Sequence, residues 1–346
     1  MTLTARLLMT AAAMTACWSG VVSAAPADKG YEYYEIGDVA APRAAATSGA
    51  LLLVGGGEWE PTAFRWFVEK AGHGHIVVLA ASGAGEDNDE FYNVIGGVSS
   101  VQTFVFHDRK AASDPRVADA LKHADGIFIA GGDQSNYARD WKDTPVSRAI
   151  DAHVAAGRPL GGTSAGLALL GGAGGYGAMD GGSIDSATAL RDPGGTPVTI
   201  VHDFLHLPHL KHVVTDTHFN ARNRLGRLIA FVAQVRATSD PQAVGLGVDQ
   251  SSALCVEAKG IGRLHTLSKG YAWLVQPQGV ARIAKGKPLD YPAVRITGLG
   301  PDGSIDLNTL RITRPAFAGT AMVKAGQLLG APGPKSPVPS SYSDPN

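Results

Sequence analysis

Cysteine is almost missing from this chain. Only Cys17 and Cys255 occur among its 346 residues, and Cys17 falls in a segment expected to be removed, so no intrachain disulfide is expected to brace the fold. Cys255 sits in an apolar run and reads as a small buried hydrophobe. A surplus of charge of one sign is also absent. The formal net charge is −1, which gives nucleic acid or an anionic membrane little to attract. Beyond the N-terminus, no run approaches the ~20 apolar residues that a membrane-spanning helix needs. No internal repeat is found. What remains is a globular composition, 45% hydrophobic and 18% charged, with material for a sizeable core.

The two ends read as separate from the fold. Arg6, an apolar run from Leu7 to Thr15 and the small residues Val22-Ser23-Ala24-Ala25 form a secretory signal-peptide pattern over residues 1–24. A lipoprotein-type cut before Cys17 is the alternative. Either way the mature chain is expected to be exported, to the periplasm or beyond. Residues 25–48 read as a leader without clear periodicity, and 331–346 as a Pro/Ser tail that buries too little to order itself. Between them, over 49–330, apolar strand-like runs at 51–54, 76–80, 102–106, 126–130 and 159–161 alternate with helix-like stretches at 61–70, 89–95, 116–123 and 146–155. That alternation predicts an α/β fold: a three-layer αβα sandwich with a mainly parallel sheet. After Asp249, short β-prone runs at 254–256, 271–275, 280–283 and 305–310 predict β-rich C-terminal additions in the same domain.

Two motifs carry chemistry. Gly162-Thr163-Ser164-Ala165-Gly166 follows a strand-like run and has the G-x-S-x-G form of a nucleophile elbow, in which glycines allow a sharp turn that pushes the serine into a crevice. In a chain with 44 glycines the pattern also arises by chance, as a turn around an inert serine. Asp216-Thr217-His218-Phe219 follows the buried run Val213-Val214. A histidine at a strand end in the same crevice can take the serine's proton.

The segment from Asp216 to Leu228 closely resembles the D-Q-H-F-x-x-R-x-R-L-G-R-L stretch of cyanophycinases. These are serine peptidases related to dipeptidase E, with a fold like that of class I glutamine amidotransferases. Leu53-Val54-Gly55-Gly56-Gly57, Ile129-Ala130-Gly131-Gly132-Asp133-Gln134, the elbow and Gly245-Leu246-Gly247-Val248-Asp249 agree in order, so the resemblance spans about 51–311. It implies Ser164 as nucleophile and His218 as base, with the N–H groups of Ala165 and Gly132 holding the oxyanion. Arg222, Arg224 and Arg227, with Gln134, Asp216 and Thr217, line up with substrate-binding positions, and guanidinium groups suit a polyaspartate backbone. A solvated helix face is the plain alternative for the arginines.

The sequence departs from the family at two places. Thr217 stands where the family has glutamine. Gln250 stands where the family has the acid that orients the histidine; an amide oxygen can hold the imidazole but cannot offset its positive charge. The corresponding change in a well-studied protease costs on the order of 10⁴ in turnover. The site is then attenuated, rescued by Asp249 or another carboxylate, or inactive.

His202, His206, His209 and His212 read as a connecting loop, since Pro208 interrupts any helix there, and no metal or organic cofactor is implied. The expected function is therefore a secreted serine exopeptidase acting on an acidic, cyanophycin-like (β-Asp-Arg type) substrate. An aspartyl dipeptidase of the dipeptidase E type and a non-catalytic binding protein are its rivals. A lipase-type hydrolase fits less well, because its acid would lie between serine and histidine. Dimerisation is what the resemblance suggests, with no nucleic-acid partner and no membrane span.

Overall fold

The computed structural model describes residues 29–337 apart from 45, 84 and 179–181. The expected signal peptide, Cys17 and residues 338–346 lie outside the described residues. In chain order the first strands are β1 (Tyr31–Gly37), β2 (Ala50–Val54), β3 (His75–Ala80), β4 (Ser100–Phe106), β5 (Gly126–Ile129) and β6 (Leu160–Thr163). Strands β4, β3, β5, β6 and β2 lie side by side in parallel. Both faces are buried, which is why each strand reads as a nearly continuous apolar run. Alternate residues serve opposite layers. Leu51, Leu53, Val77 and Leu79 face α3 (Pro115–His123), α4 (Gln134–Trp141) and α5 (Pro145–Ala155), represented in that core by Leu121, Trp141 and Ile150. Leu52, Val54, Ile76 and Val78 face α1 (Pro61–Lys70) and the π-turn at Glu90–Ile95, through Phe64, Phe67 and Phe91. The predicted three-layer sandwich is present.

Helix α1 starts where its sequence says it should. Glu60 accepts the Ala63 N–H, and Pro61 occupies the first turn, where no N–H is needed. Cys255 is 4% exposed in the core beneath α1, and burial raises its thiol pKa.

The second half of the chain builds a second sheet. After α2 (Glu86–Asp89) and the elements above come α6 (Ala165–Ala168), the β7–β8 hairpin (Gly175–Tyr176 and Ile200–Val201), α7 (Ser186–Arg191), β9 (Val213–Asp216), α8 (Leu225–Thr238) and β10 (Val244–Val248). The remaining strands are β11 (Ser252–Glu257), β12 (Ile261–Thr266), β13 (Ala272–Gln278), β14 (Tyr291–Leu299), β15 (Ser304–Asp306), β16 (Arg311–Thr313), β17 (Phe317–Lys324) and β18 (Gln327–Leu329). Strands β11, β12, β15 and β16 extend the first sheet antiparallel from β2, while β9, β10, β13, β14, β17 and β18 form the other sheet. One face of that sheet packs on α8 through Val214, Val275 and Ile296. Its other face, with Leu246 and Leu274, joins the core of the first sheet.

Three segments differ from their sequence reading. Residues 31–37, expected within an irregular leader, are an edge strand antiparallel to β4. Tyr31 and Tyr33 turn inward onto Phe104, with ring centroids 5.4 and 5.0 Å away, a two-residue alternation too short to stand out. Residues 280–283 hold only an isolated bridge at Arg282, because Gly279 turns the chain at φ 80° and leaves Val280 exposed. Residues 331–337, the start of the expected disordered tail, lie against the second sheet. Ser336 Oγ donates to Asn220 O at 2.6 Å, and a Cβ at Gly333 would meet Phe317.

Candidate active site

The carboxyl ends of β2, β5, β6 and β9 open into one crevice, the usual place for a ligand in such a sheet. Ser164 follows β6 at φ 50°, ψ −115°, a conformation that residues with a Cβ seldom adopt. The turn around it is tight: a Cβ at Gly166 would stand 2.3 Å from Ile129 O. The helix that follows is shorter than the elbow pattern predicts. It is the single turn α6, because Gly171, Gly172, Gly174 and Gly175 come directly after Leu170.

His218 meets Ser164. Its Nε2 lies 2.8 Å from Ser164 Oγ, and its Nδ1 lies 3.0 Å from Gln250 Oε1. An amide oxygen can only accept, so Nδ1 carries the proton and Nε2 is left to accept from the serine hydroxyl. His218 is buried with φ 43°, its N–H donating to Gly55 O at 2.7 Å. Phe219 anchors the neighbouring backbone by packing over Gly247, where a Cβ would stand 2.4 Å from the ring.

The orienting group beside His218 is therefore Gln250. Asp249 points elsewhere: its carboxylate accepts from Asn220 N, Tyr271 N and Trp273 Nε1, each at 2.9 Å. Burial nevertheless pushes its pKa up to about 6, against the pull of those donors. Asp249 stitches the histidine segment to β13. Gln250 itself is exposed.

Gly132 and Ala165 line the same crevice as Ser164. Among the described residues neither backbone N–H is spent on a hydrogen bond, the condition for an oxyanion site. Gly132 has φ 122°, a conformation that favours glycine. The Tyr137 hydroxyl lies beneath this turn, 3.0 Å from Ala130 O and 2.7 Å from Gly131 O, and accepts from Ala81 N at 3.2 Å.

The arginines are not a solvated helix face. Arg227 is 1% exposed and grips Asp216 with two nitrogens, Nε at 2.8 Å and Nη2 at 2.5 Å. Arg224 is buried and donates through Nη1 to Thr217 O at 3.1 Å and to Thr217 Oγ1 at 3.0 Å. Asp216 therefore stands behind the wall as the counter-charge of Arg227, while Gln134, Thr217, Arg222, Arg224 and Arg227 line a crevice of about 890 Å³. The four loop histidines have four separate sets of partners: His202 with Ser239, His206 with Asp151 and Asp203, His209 with Asn308, and His212 with Asp240.

Sequence reasoning missed three residues. Gly56 lies against the His218 ring, which its place in a glycine run does not reveal. Tyr137 reads as one more core aromatic of α4. Asp87 lines the crevice, half-buried, its pKa pushed up to about 6 by burial and by Glu86 and Glu90. Its place in a short helix gave no periodic signal.

Residues 86–263 match the model described as Peptidase family S51. The chain is 30% identical over 247 residues to a cyanophycinase of Trichormus variabilis, covering 67% of this chain and 75% of that protein. It is 29% identical over 222 residues to a cyanophycinase of Synechococcus elongatus, covering 62% and 63%. Among solved structures, a peptidase from an acI-B1 Actinobacterium superimposes with a TM-score of 0.50 at 20% identity, over 76% of this chain and 98% of that one. That last likeness is one of fold.

Proposed function

Because the chain belongs to peptidase family S51, we propose that it is a secreted, cyanophycinase-like serine exopeptidase that hydrolyses Asp-containing peptides of the β-Asp-Arg type. The observation that carries this reading is the 2.8 Å contact between Ser164 Oγ and His218 Nε2. As Oγ attacks the carbonyl carbon, its proton passes to Nε2. The oxyanion accepts from the N–H groups of Gly132 and Ala165. His218 then protonates the leaving amine, and a water deprotonated by His218 clears the acyl-enzyme. Gln250 holds the imidazole's tautomer without offsetting its charge, so turnover is attenuated.

Both signs of charge line the crevice, which supports the substrate class. Arg222 and Arg224 come from the histidine segment, while Asp87 comes from α2 and Asp133 caps α4. Asp216 pairs with Arg227 and also stands 3.8 Å from Arg224 Nη1, so the two buried arginines share one carboxylate and leave a net positive charge. A substrate carrying a carboxylate beside a guanidinium finds a counter-charge for each. Export rests on the pattern of Arg6, the apolar run after it and the small residues 22–25.

Mass spectrometry of products from cyanophycin and from α- and β-aspartyl dipeptides tests the assignment. Release of β-Asp-Arg from the polymer supports it; cleavage of free dipeptides alone makes the protein an aspartyl dipeptidase of the dipeptidase E type. The exposed Gln250 favours one reading of a different class, a binding protein without turnover. Substrate retention with no product in any reaction would select it.

A further inference from the structure

Strand β14 turns Arg295 and Thr297 to one face of the second sheet, since alternate residues share a face. The register sets Gln276 and Leu274 of β13 opposite them, and Ala318 of β17 beside Thr297. The connection carrying Thr309 to Pro315 covers this patch, held by Gln276 Nε2 donating to Leu310 O at 3.2 Å. The result is a cavity of about 330 Å³ that shares no lining residue with the Ser164 crevice.

Two independent features point to a ligand there. Thr297 is 5% exposed, and its Oγ1 is buried without a hydrogen-bond partner among the described residues, a state that buried hydroxyls seldom keep. The cavity is also one-sided in charge. Arg295 and Arg311 both line it, neither forms an ion pair among the described residues, and no acidic residue lines it.

We propose that this cavity binds the carboxylate of an organic acid, with the side chain or terminus of an acidic peptide as its source. Arg295 and Arg311 supply forked donors matched to a carboxylate, and the Thr297 hydroxyl donates to the same group. Leu274, Ile312 and Ala318 accept the aliphatic part, which an inorganic anion would leave unfilled. This binding does not require the reaction at Ser164.

Calorimetric titration of N-acetyl-triaspartate into the full chain carrying Ser164→Ala tests it, alongside the same chain with Arg295→Ala and Arg311→Ala added. Both arginines are exposed, so the fold tolerates their loss, and a melting curve checks this. The expected result is one bound peptide fewer per chain in the double arginine variant. Thr297→Val is expected to weaken that same binding event about tenfold. Equal stoichiometry and affinity with and without the arginines would overturn the proposal. So would inorganic phosphate occupying the arginine-dependent site as tightly as the peptide.

Discussion

A Cβ atom on Gly56 would stand 2.3 Å from both Cε1 and Nε2 of His218. The glycine run after β2 thus leaves the space that the imidazole occupies, and Gly56 holds φ 85° while doing so. Gly56→Ala is expected to displace the ring from Ser164 and lower kcat about 10²-fold or more, with a stability loss of about 1 kcal/mol from the strained backbone. Steady-state kinetics with a melting curve checks both. An alanine variant with unchanged turnover would show that the ring has room to spare.

Gln250→Glu returns a charge to the atom that accepts from His218 Nδ1. The expected outcome is a rise in kcat of about tenfold or more, smaller than for a buried acid because Gln250 is exposed. A fall or no change, measured at saturating substrate, would mean that another group already stabilises the imidazolium.

Tyr137→Phe removes the hydroxyl beneath the Gly131-Gly132 turn and leaves Ala81 N and two carbonyls without it. Stability should fall by about 1–3 kcal/mol. If the turn presents the oxyanion donor, kcat should fall with little change in KM; denaturant unfolding and kinetics on the same sample separate the two effects.

Asp87 gives a pH dependence. Its pKa is pushed up to about 6, so its charge is lost below that pH and present above it. For an Arg-bearing substrate, KM should fall as pH rises from 5 to 7. For a norleucine-bearing analogue it should not, and Asp87→Asn should abolish the difference. The analogue controls for pH effects on the chemical step, which touch both substrates alike. Parallel KM profiles for the two substrates in the unaltered protein would remove Asp87 from substrate recognition.

The parallel strands and their helices were legible because burial on both faces writes long apolar runs and because Glu60 and Pro61 mark where α1 begins. The closeness of Ser164 and His218 was legible because a glycine-flanked turn and a strand end open on the same side of such a sheet. The edge strand at 31–37 was not, since its two inward tyrosines make too short an alternation. Neither was the division of the C-terminal strands between two sheets, which depends on long-range pairing such as β2 with β11. Asp216 looked like a substrate contact and is instead the partner of Arg227, a distinction set by burial that residue type alone does not reveal.

The most direct measurement is site-resolved labelling with a fluorophosphonate, read by peptide mapping. A nucleophilic Ser164 activated by His218 predicts one adduct, on Ser164, lost in Ser164→Ala and strongly slowed in His218→Ala. No adduct under conditions that label a related serine peptidase, or an adduct that survives Ser164→Ala, would contradict the account.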